Sequence, residues 1–412
     1  MQSSRLPYFV TLFIAVVLQY LPNEKSTSKR PLENVCDYDR NILCPECVSS
    51  GLECNKFDDL FTLQDDNVFN IINNIFNSHT TRIGTIVQEN KLAVMKHLNR
   101  DNTIEKLLQE YCDAYSLTKQ NCRWAQHDGS VDRAKEFITT SILDSARVEG
   151  CIFCPATNNR QSLQRFLSLF DSTDNELWNL LAVRTNVEPL LIKLLTVNYH
   201  DEPPLYVPKL LHTFGFSIIE TYEGKTLEHY YDFPFVTRMR IAAELIRAGF
   251  KFTEGIHGFR VFLTDINPDN VVVNLKNDNK QVYVSIVDLD NVILLDSWAE
   301  VFLTKNTHHV HSKIECNGCF AYVQEDVCRY QNSDLNLFAT CQLLLENLNG
   351  HYAKGLLHYD RDAEAFPVLG EASKMLQNLL SECVYCQPPD CQNRSHILKD
   401  MLHIIDQTII QS

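Results

Sequence analysis

The chain has 412 residues, 45% of them hydrophobic, and a formal net charge of −15 at pH 7. That length suits one large two-lobed domain or two ordinary ones. The acidic balance argues against nucleic acid or anionic lipid as the main partner.

The N-terminus reads as a secretory signal. Arg5 precedes an apolar run from Tyr8 to Leu18, short for a bilayer span and suited to a signal h-region. No A-x-A cleavage pattern follows, so residues 1–25 are expected to be a signal peptide or an uncleaved signal anchor. No later stretch is apolar and long enough to span a membrane. The fifteen cysteines fit an oxidising compartment. Four pairs have C-x-x-C spacing: Cys44/Cys47, Cys151/Cys154, Cys316/Cys319 and Cys383/Cys386. Such pairs also close zinc sites, but behind a signal sequence disulfides are the stronger reading, with a connectivity that spacing does not fix. An odd count leaves at least one thiol free or paired between chains.

Residues 26–60 form a Cys-rich lead-in with little apolar periodicity. Residues 66–98 read as strands, the clearest being Lys91-Leu92-Ala93-Val94-Met95-Lys96. Ala-Val-Met-Lys has the form of a strand whose lysine reaches phosphates; a surface lysine is the plainer alternative. Residues 103–115 predict a helix with Ile104, Leu107, Leu108 and Tyr111 on one face. It offers Glu105 or Glu110 as the partner of Lys96, against the plainer reading of solvated acids on an amphipathic helix. No G-x-G-x-x-G loop precedes Lys96, and Gly84 is the one glycine at hand to cradle a phosphate.

Residues 112–154 look like a disulfide-held insertion. Helical periodicity returns at 163–170, 177–182 and 190–195. Residues 216–222 read as a strand, and 235–248 as an amphipathic helix burying Val236, Met239, Ile241, Ala242, Leu245 and Ile246.

Residues 261–295 carry the chemistry. Val261 to Thr264 leads into Asp265 and Asn270; Val282 to Val287 leads into Asp288, with a polar turn over 274–280 between the two runs. This layout predicts Asp265, Asn270 and Asp288 at one edge of a small sheet. Asp265-Ile-Asn-Pro-Asp-Asn270 has the D-x-x-x-x-N spacing of a phosphoryl-transfer loop. One carboxylate there orients a hydroxyl, while an Asn and a second Asp hold Mg²⁺ against phosphates. The alternative is a hairpin with solvated acidic ends. Farther on, His308, His309 and His311 before Cys316 and Cys319 suggest metal, but a loop beside a disulfide is favoured. Helices are expected at 334–348 and 397–409, and Asn393-Arg394-Ser395 is a glycosylation sequon.

These motifs together resemble the divergent protein kinase domain family of the secretory pathway (FAM69-like), most closely its "deleted in autism" branch. The resemblance rests on Cys44-Pro-Glu-Cys47, Ala93-Val-Met-Lys96-His97-Leu98, Asn186-Val-Glu-Pro189-Leu190, Leu263-Thr-Asp265 with Asp269-Asn270, Val287-Asp288-Leu-Asp290-Asn291-Val292 and Gly355-Leu-Leu-His358. Cys112, Cys122, Cys328, Cys341 and Cys383 also fall where that branch has cysteines.

The resemblance implies an α+β, bilobal, protein-kinase-like fold with a Cys-rich N-terminal extension and disulfide-stapled insertions. The smaller lobe would occupy residues 61–220 and the larger 221–412. It implies ATP with Mg²⁺ or Mn²⁺ as cofactors, and a luminal or extracellular protein as substrate or receptor, for a protein in the ER or Golgi or secreted. Lys96 would contact the ATP phosphates, paired with Glu105. Asp265 would be the general base, and Asn270 and Asp288 would hold the metal.

Departures from active kinases are plain. Leu263-Thr264-Asp265 lacks the arginine of H-R-D, Asn267 replaces the catalytic-loop lysine, Asp290 replaces the glycine of D-F-G, and no A-P-E follows. Loss of a cation weakens stabilisation of the transferring phosphoryl group. Two functions therefore stand: a kinase acting on luminal or extracellular protein, or a pseudokinase that works by binding.

Overall fold

A computed structural model describes residues 60–63, 81–98, 103–118, 122, 124, 130–144, 150–170, 176–196, 206–277, 279–299, 322–346, 355–358, 366–386 and 391–411. The expected signal segment, nearly all of the Cys-rich lead-in, and the loop with His308, His309, His311, Cys316 and Cys319 lie outside these residues.

Strands β1 (Phe61–Leu63), β2 (Thr81–Ile86) and β3 (Lys91–His97) come first. Helices α1 (Thr103–Ala114) and α2 (Ser130–Ile142), strand β4 (Cys151–Cys154), and helices α3 (Asn159–Leu167), α4 (Glu176–Thr185) and α5 (Glu188–Thr196) follow. Then come β5 (Leu210–Phe214), β6 (Ser217–Thr221), β7 (Lys225–Thr226), α6 (Phe235–Glu254), β8 (Phe259–Leu263), β9 (Val271–Lys276), β10 (Gln281–Ile286) and β11 (Val292–Asp296). Helices α7 (Gln324–Arg329), α8 (Leu335–Leu345), α9 (Pro367–Tyr385) and α10 (Arg394–Gln411) complete the order.

An antiparallel five-stranded sheet, β1-β2-β3-β6-β5, forms one part of the molecule. Period-two alternation on β3 sends Ala93 and Met95 into the core and leaves Val94 and Lys96 on the other face. Helix α6 anchors the other part, packing against α8, α10, β8 and β10. Its apolar face continues through Ala248 and Phe252, which is why it outruns the expected end at 248. Gly255 ends it at φ 77°, a left-handed value, and a Cβ there would lie 2.0 Å from the Phe259 carbonyl oxygen. This tight turn feeds the chain directly from α6 into β8.

The expectation of one small sheet carrying all three polar residues is corrected. Two three-stranded sheets are present, β10-β9-β7 and β4-β11-β8. Asp265 follows β8 in the second, whereas Asn270 immediately precedes β9 and Asp288 follows β10 in the first. β9 and β10 form the hairpin, and β8 pairs instead with β11, which lies beyond Asp288.

Four disulfides join described cysteines: Cys112–Cys122, Cys154–Cys328, Cys341–Cys383 and Cys386–Cys391. None closes within a C-x-x-C pair. Among the described residues no helix is long and apolar enough to cross a membrane.

Candidate functional site

Lys96 stands near the end of β3 with 8% of its surface exposed. An ammonium so buried needs counter-charge, and two carboxylates supply it. Lys96 Nζ donates to Glu188 Oε1 at 2.7 Å and forms an ion pair with Glu220 Oε1 at 2.9 Å. Burial works against the ammonium, but Glu188 and Glu220 outweigh it and hold the Lys96 pKa above its ordinary value.

Glu188 opens α5. Asn186 Oδ1 accepts the Glu188 N–H at 2.9 Å, and Pro189 follows in the first turn. Both are helix-start chemistry. Glu188 Oε1 also accepts the backbone N–H of Asp288 at 2.9 Å and that of Leu289 at 3.4 Å. Asp288 has φ 61°, a conformation Asp tolerates better than most residues. The Glu188 contact and this left-handed backbone hold Asp288 beside Lys96, and its charge adds to those that raise the Lys96 pKa.

Glu220 reaches the same place from β6. It lies opposite Val94 in the register, so its side chain shares the face used by Lys96. Burial pushes its carboxyl pKa up to about 7; Lys96 lowers it, while Glu188 and Asp288 raise it further. One ammonium does not neutralise two buried carboxylates, and Glu220 carries the unfavourable remainder. Glu188 Oε2 and Glu220 Oε2 are both buried without a hydrogen-bond partner.

The loop after β8 presents an exposed Asp265. Asn267 Nδ2 donates to Asp265 Oδ1 at 3.2 Å, and Asn267 Oδ1 accepts the N–H groups of Asp269 and Asn270. Asn270 Nδ2 donates to the Asp265 carbonyl at 2.9 Å, and the Val287 N–H donates to the Asn270 carbonyl at 2.9 Å. That second bond ties the loop to the residue before Asp288. Thr264 Oγ1 donates to the Asn291 carbonyl at 2.9 Å. Beneath the loop, the Asn336 side chain accepts from the Leu263 N–H and donates to the Val261 carbonyl, clamping the end of β8 to α8.

Lys96, Asp288, Asn270 and Asp265 thus belong to one connected set. Glu105 does not join it. Lys96 is taken by Glu188 and Glu220, whereas the charge of Glu105 acts on His97, the next residue along the strand. Successive strand residues point to opposite faces, so α1 serves the wrong side. Glu110, the other helix candidate, acts on Arg184. Gly84 is likewise corrected: it sits inside β2, paired with Leu63 and Ala93, and a Cβ there would meet the Phe61 ring at 2.3 Å. It is a packing glycine. The β1–β2 connection, residues 64–80, contains no glycine.

A lysine and helix-borne glutamate over one sheet, facing an Asp-to-Asn loop and a second Asp, define a protein-kinase-like cleft. The family model described as the protein-kinase domain of FAM69 matches residues 177–385, half of the chain, and the chain belongs to that family. The match contains Glu188, Glu220, Asp265, Asn270 and Asp288; Lys96 precedes it. A Xenopus tropicalis protein named Divergent protein kinase domain 2A is 24% identical over 334 residues, 75% of this chain and 73% of its own. The human protein of the same name is 24% identical over 315 residues, 71% of this chain and 69% of its own.

Proposed function

We propose that this is a kinase-like protein of the secretory pathway whose cleft binds ATP with Mg²⁺ or Mn²⁺ and transfers phosphate to luminal or extracellular proteins. One observation carries the reading: Lys96 Nζ and the Asp288 N–H converge on Glu188 Oε1. This contact holds a phosphate-directed ammonium beside a carboxylate suited to metal. Asn270 spends its Nδ2 on Asp265, which leaves Oδ1, and Asp288 offers a second hard oxygen donor. Among the described residues no group of three His, Cys, Asp or Glu side chains could hold a metal alone. Two protein ligands, with phosphate oxygens and water completing the shell, suit Mg²⁺.

In this reading Asn270 and Asp288 hold the metal, which when bound neutralises charge on the phosphates. Lys96 orients the phosphates from the sheet side. Exposed Asp265 orients the acceptor hydroxyl and takes its proton. The signal-like N-terminus and the disulfides support the compartment.

A second reading, a pseudokinase that binds without transfer, is favoured by Asn267. Its side chain is engaged with its own loop where transfer chemistry wants a cation. Thermal-shift titration with ATP and Mg²⁺ or Mn²⁺ tests binding, because a ligand of the native state raises the melting temperature. Labelled-phosphate transfer to secreted proteins then separates the two readings. No shift at any nucleotide concentration refutes the kinase reading and is the outcome expected of a pseudokinase that works by binding a protein partner.

A further inference from the structure

We propose that Glu220 makes the cleft selective for metal-complexed nucleoside polyphosphates over the free polyanions. The inference rests on the nucleotide reading above and concerns what the site refuses. Lys96 has three N–H donors; Glu188 and Glu220 take two, leaving one for a phosphate. The charges that act on Lys96 are those of Glu188, Glu220 and Asp288, three carboxylates around one ammonium. A polyphosphate arriving without metal meets net negative charge in a buried setting, where like charges repel strongly. A polyphosphate bearing a divalent cation brings its own neutralisation.

Glu220 is the carboxylate that this geometry does not otherwise need. Glu188 is engaged by Lys96 and by two backbone N–H groups across the cleft. Glu220 holds only the lysine, and its Oε2 is buried with no hydrogen-bond partner. Leaving such an oxygen unsatisfied is unfavourable. Its strand neighbours Ile218 and Ile219 are fully buried and apolar, so an apolar residue would suit β6 on packing grounds. A carboxylate kept there against desolvation shapes the field that the ligand enters.

The test compares the full chain with Glu220→Gln in thermal-shift and calorimetric titrations of ATP with Mn²⁺ and of ATP with EDTA. It is done at pH 8, above the Glu220 pKa of about 7. The parent should bind ATP with Mn²⁺ and refuse ATP with EDTA. Glu220→Gln should gain metal-free binding, lowering the ratio of the two affinities by about tenfold or more. Equal binding of both forms by the parent overturns the proposal, as does a variant that keeps the parent's ratio. A parent that binds neither form refutes the nucleotide reading itself. Glu220→Leu, matched to the neighbouring isoleucines, serves as a second variant if Gln does not fold; it predicts the same loss of discrimination.

Discussion

Glu188 holds Asp288 by its backbone: the oxygen that accepts the Lys96 ammonium also accepts the Asp288 N–H at 2.9 Å. The two sides of the cleft therefore meet on one atom. Removing that atom should disturb both sides at once.

The first prediction compares substitutions at Glu188. Glu188→Gln keeps an acceptor oxygen and leaves Lys96 paired with Glu220, so it should cost about 1 kcal/mol of stability. Glu188→Ala strands two backbone donors and should cost about 3 kcal/mol. Both should weaken the ATP-dependent thermal shift. Glu105→Ala should change stability by about 0.5 kcal/mol or less and leave the shift intact. Urea denaturation with parallel thermal-shift titrations reads all three, and a large loss of shift in Glu105→Ala would restore that residue to the site.

Asp288 and Asp265 should separate binding from transfer. Asn tolerates the left-handed backbone at φ 61°, so Asp288→Asn is the cleaner substitution. It should abolish the metal-ATP shift while leaving unliganded stability unchanged or slightly higher, because one carboxylate leaves a like-charged cluster. Asp265→Asn should keep the shift and lose any transfer. Loss of secretion in both variants would make these carboxylates structural.

A pH dependence follows from Glu220. Its carboxyl binds a proton more tightly in the folded chain, with a pKa raised from 4.5 to about 7. Folding therefore takes up a proton, and this group's contribution makes stability fall as pH rises through that window. Glu220→Gln lacks the effect. The difference in unfolding free energy, variant minus parent, should grow between pH 4.5 and 7 by about 3 kcal/mol and then level off. Denaturant curves at stepped pH measure it; a difference independent of pH would deny the raised pKa.

The Cys341–Cys383 disulfide joins α8 to α9 with a sequence separation of 42. Loop-closure entropy gives such a bridge about 4 kcal/mol. Replacing both cysteines with serine should lower stability by about 2–4 kcal/mol, read by denaturation of the purified protein. The Cys386–Cys391 bridge spans only 5 positions, so its removal should cost less.

Much of the cleft was legible because its residues are local. Lys96 ends a short β-rich run, and Asp265 with Asn270 has a spacing that a single loop can satisfy. Asp288 follows the β-rich run Val282 to Val287. Glu188 was not legible as the partner of Lys96, since four helices and a strand intervene and α1 offered nearer acids. A signal existed in Asn186-Val-Glu-Pro189, a cap and an N-terminal proline before an apolar run, but it announces a helix and not what its glutamate touches. Glu220 left no signal, because a strand ending in an acid is ordinary surface chemistry. The split into two small sheets was hidden for a related reason. β8 pairs with β11, beyond the β9–β10 hairpin, and strand pairing of that kind is a tertiary choice.

The distances along the chain have a consequence for biosynthesis. Lys96 meets Glu188 across 92 positions, and Glu188 meets Asp288 across another 100. A chain emerging from the ribosome has made β3 and all the intervening helices before the lysine's first counter-ion exists. The contact that closes the cleft waits until the β9–β10 hairpin has also been made. Until then a buried-to-be ammonium and a half-built sheet stand open to solvent, and long-range closures of this kind slow folding. Premature release anywhere between Glu188 and Asp288 would leave the cleft unformed.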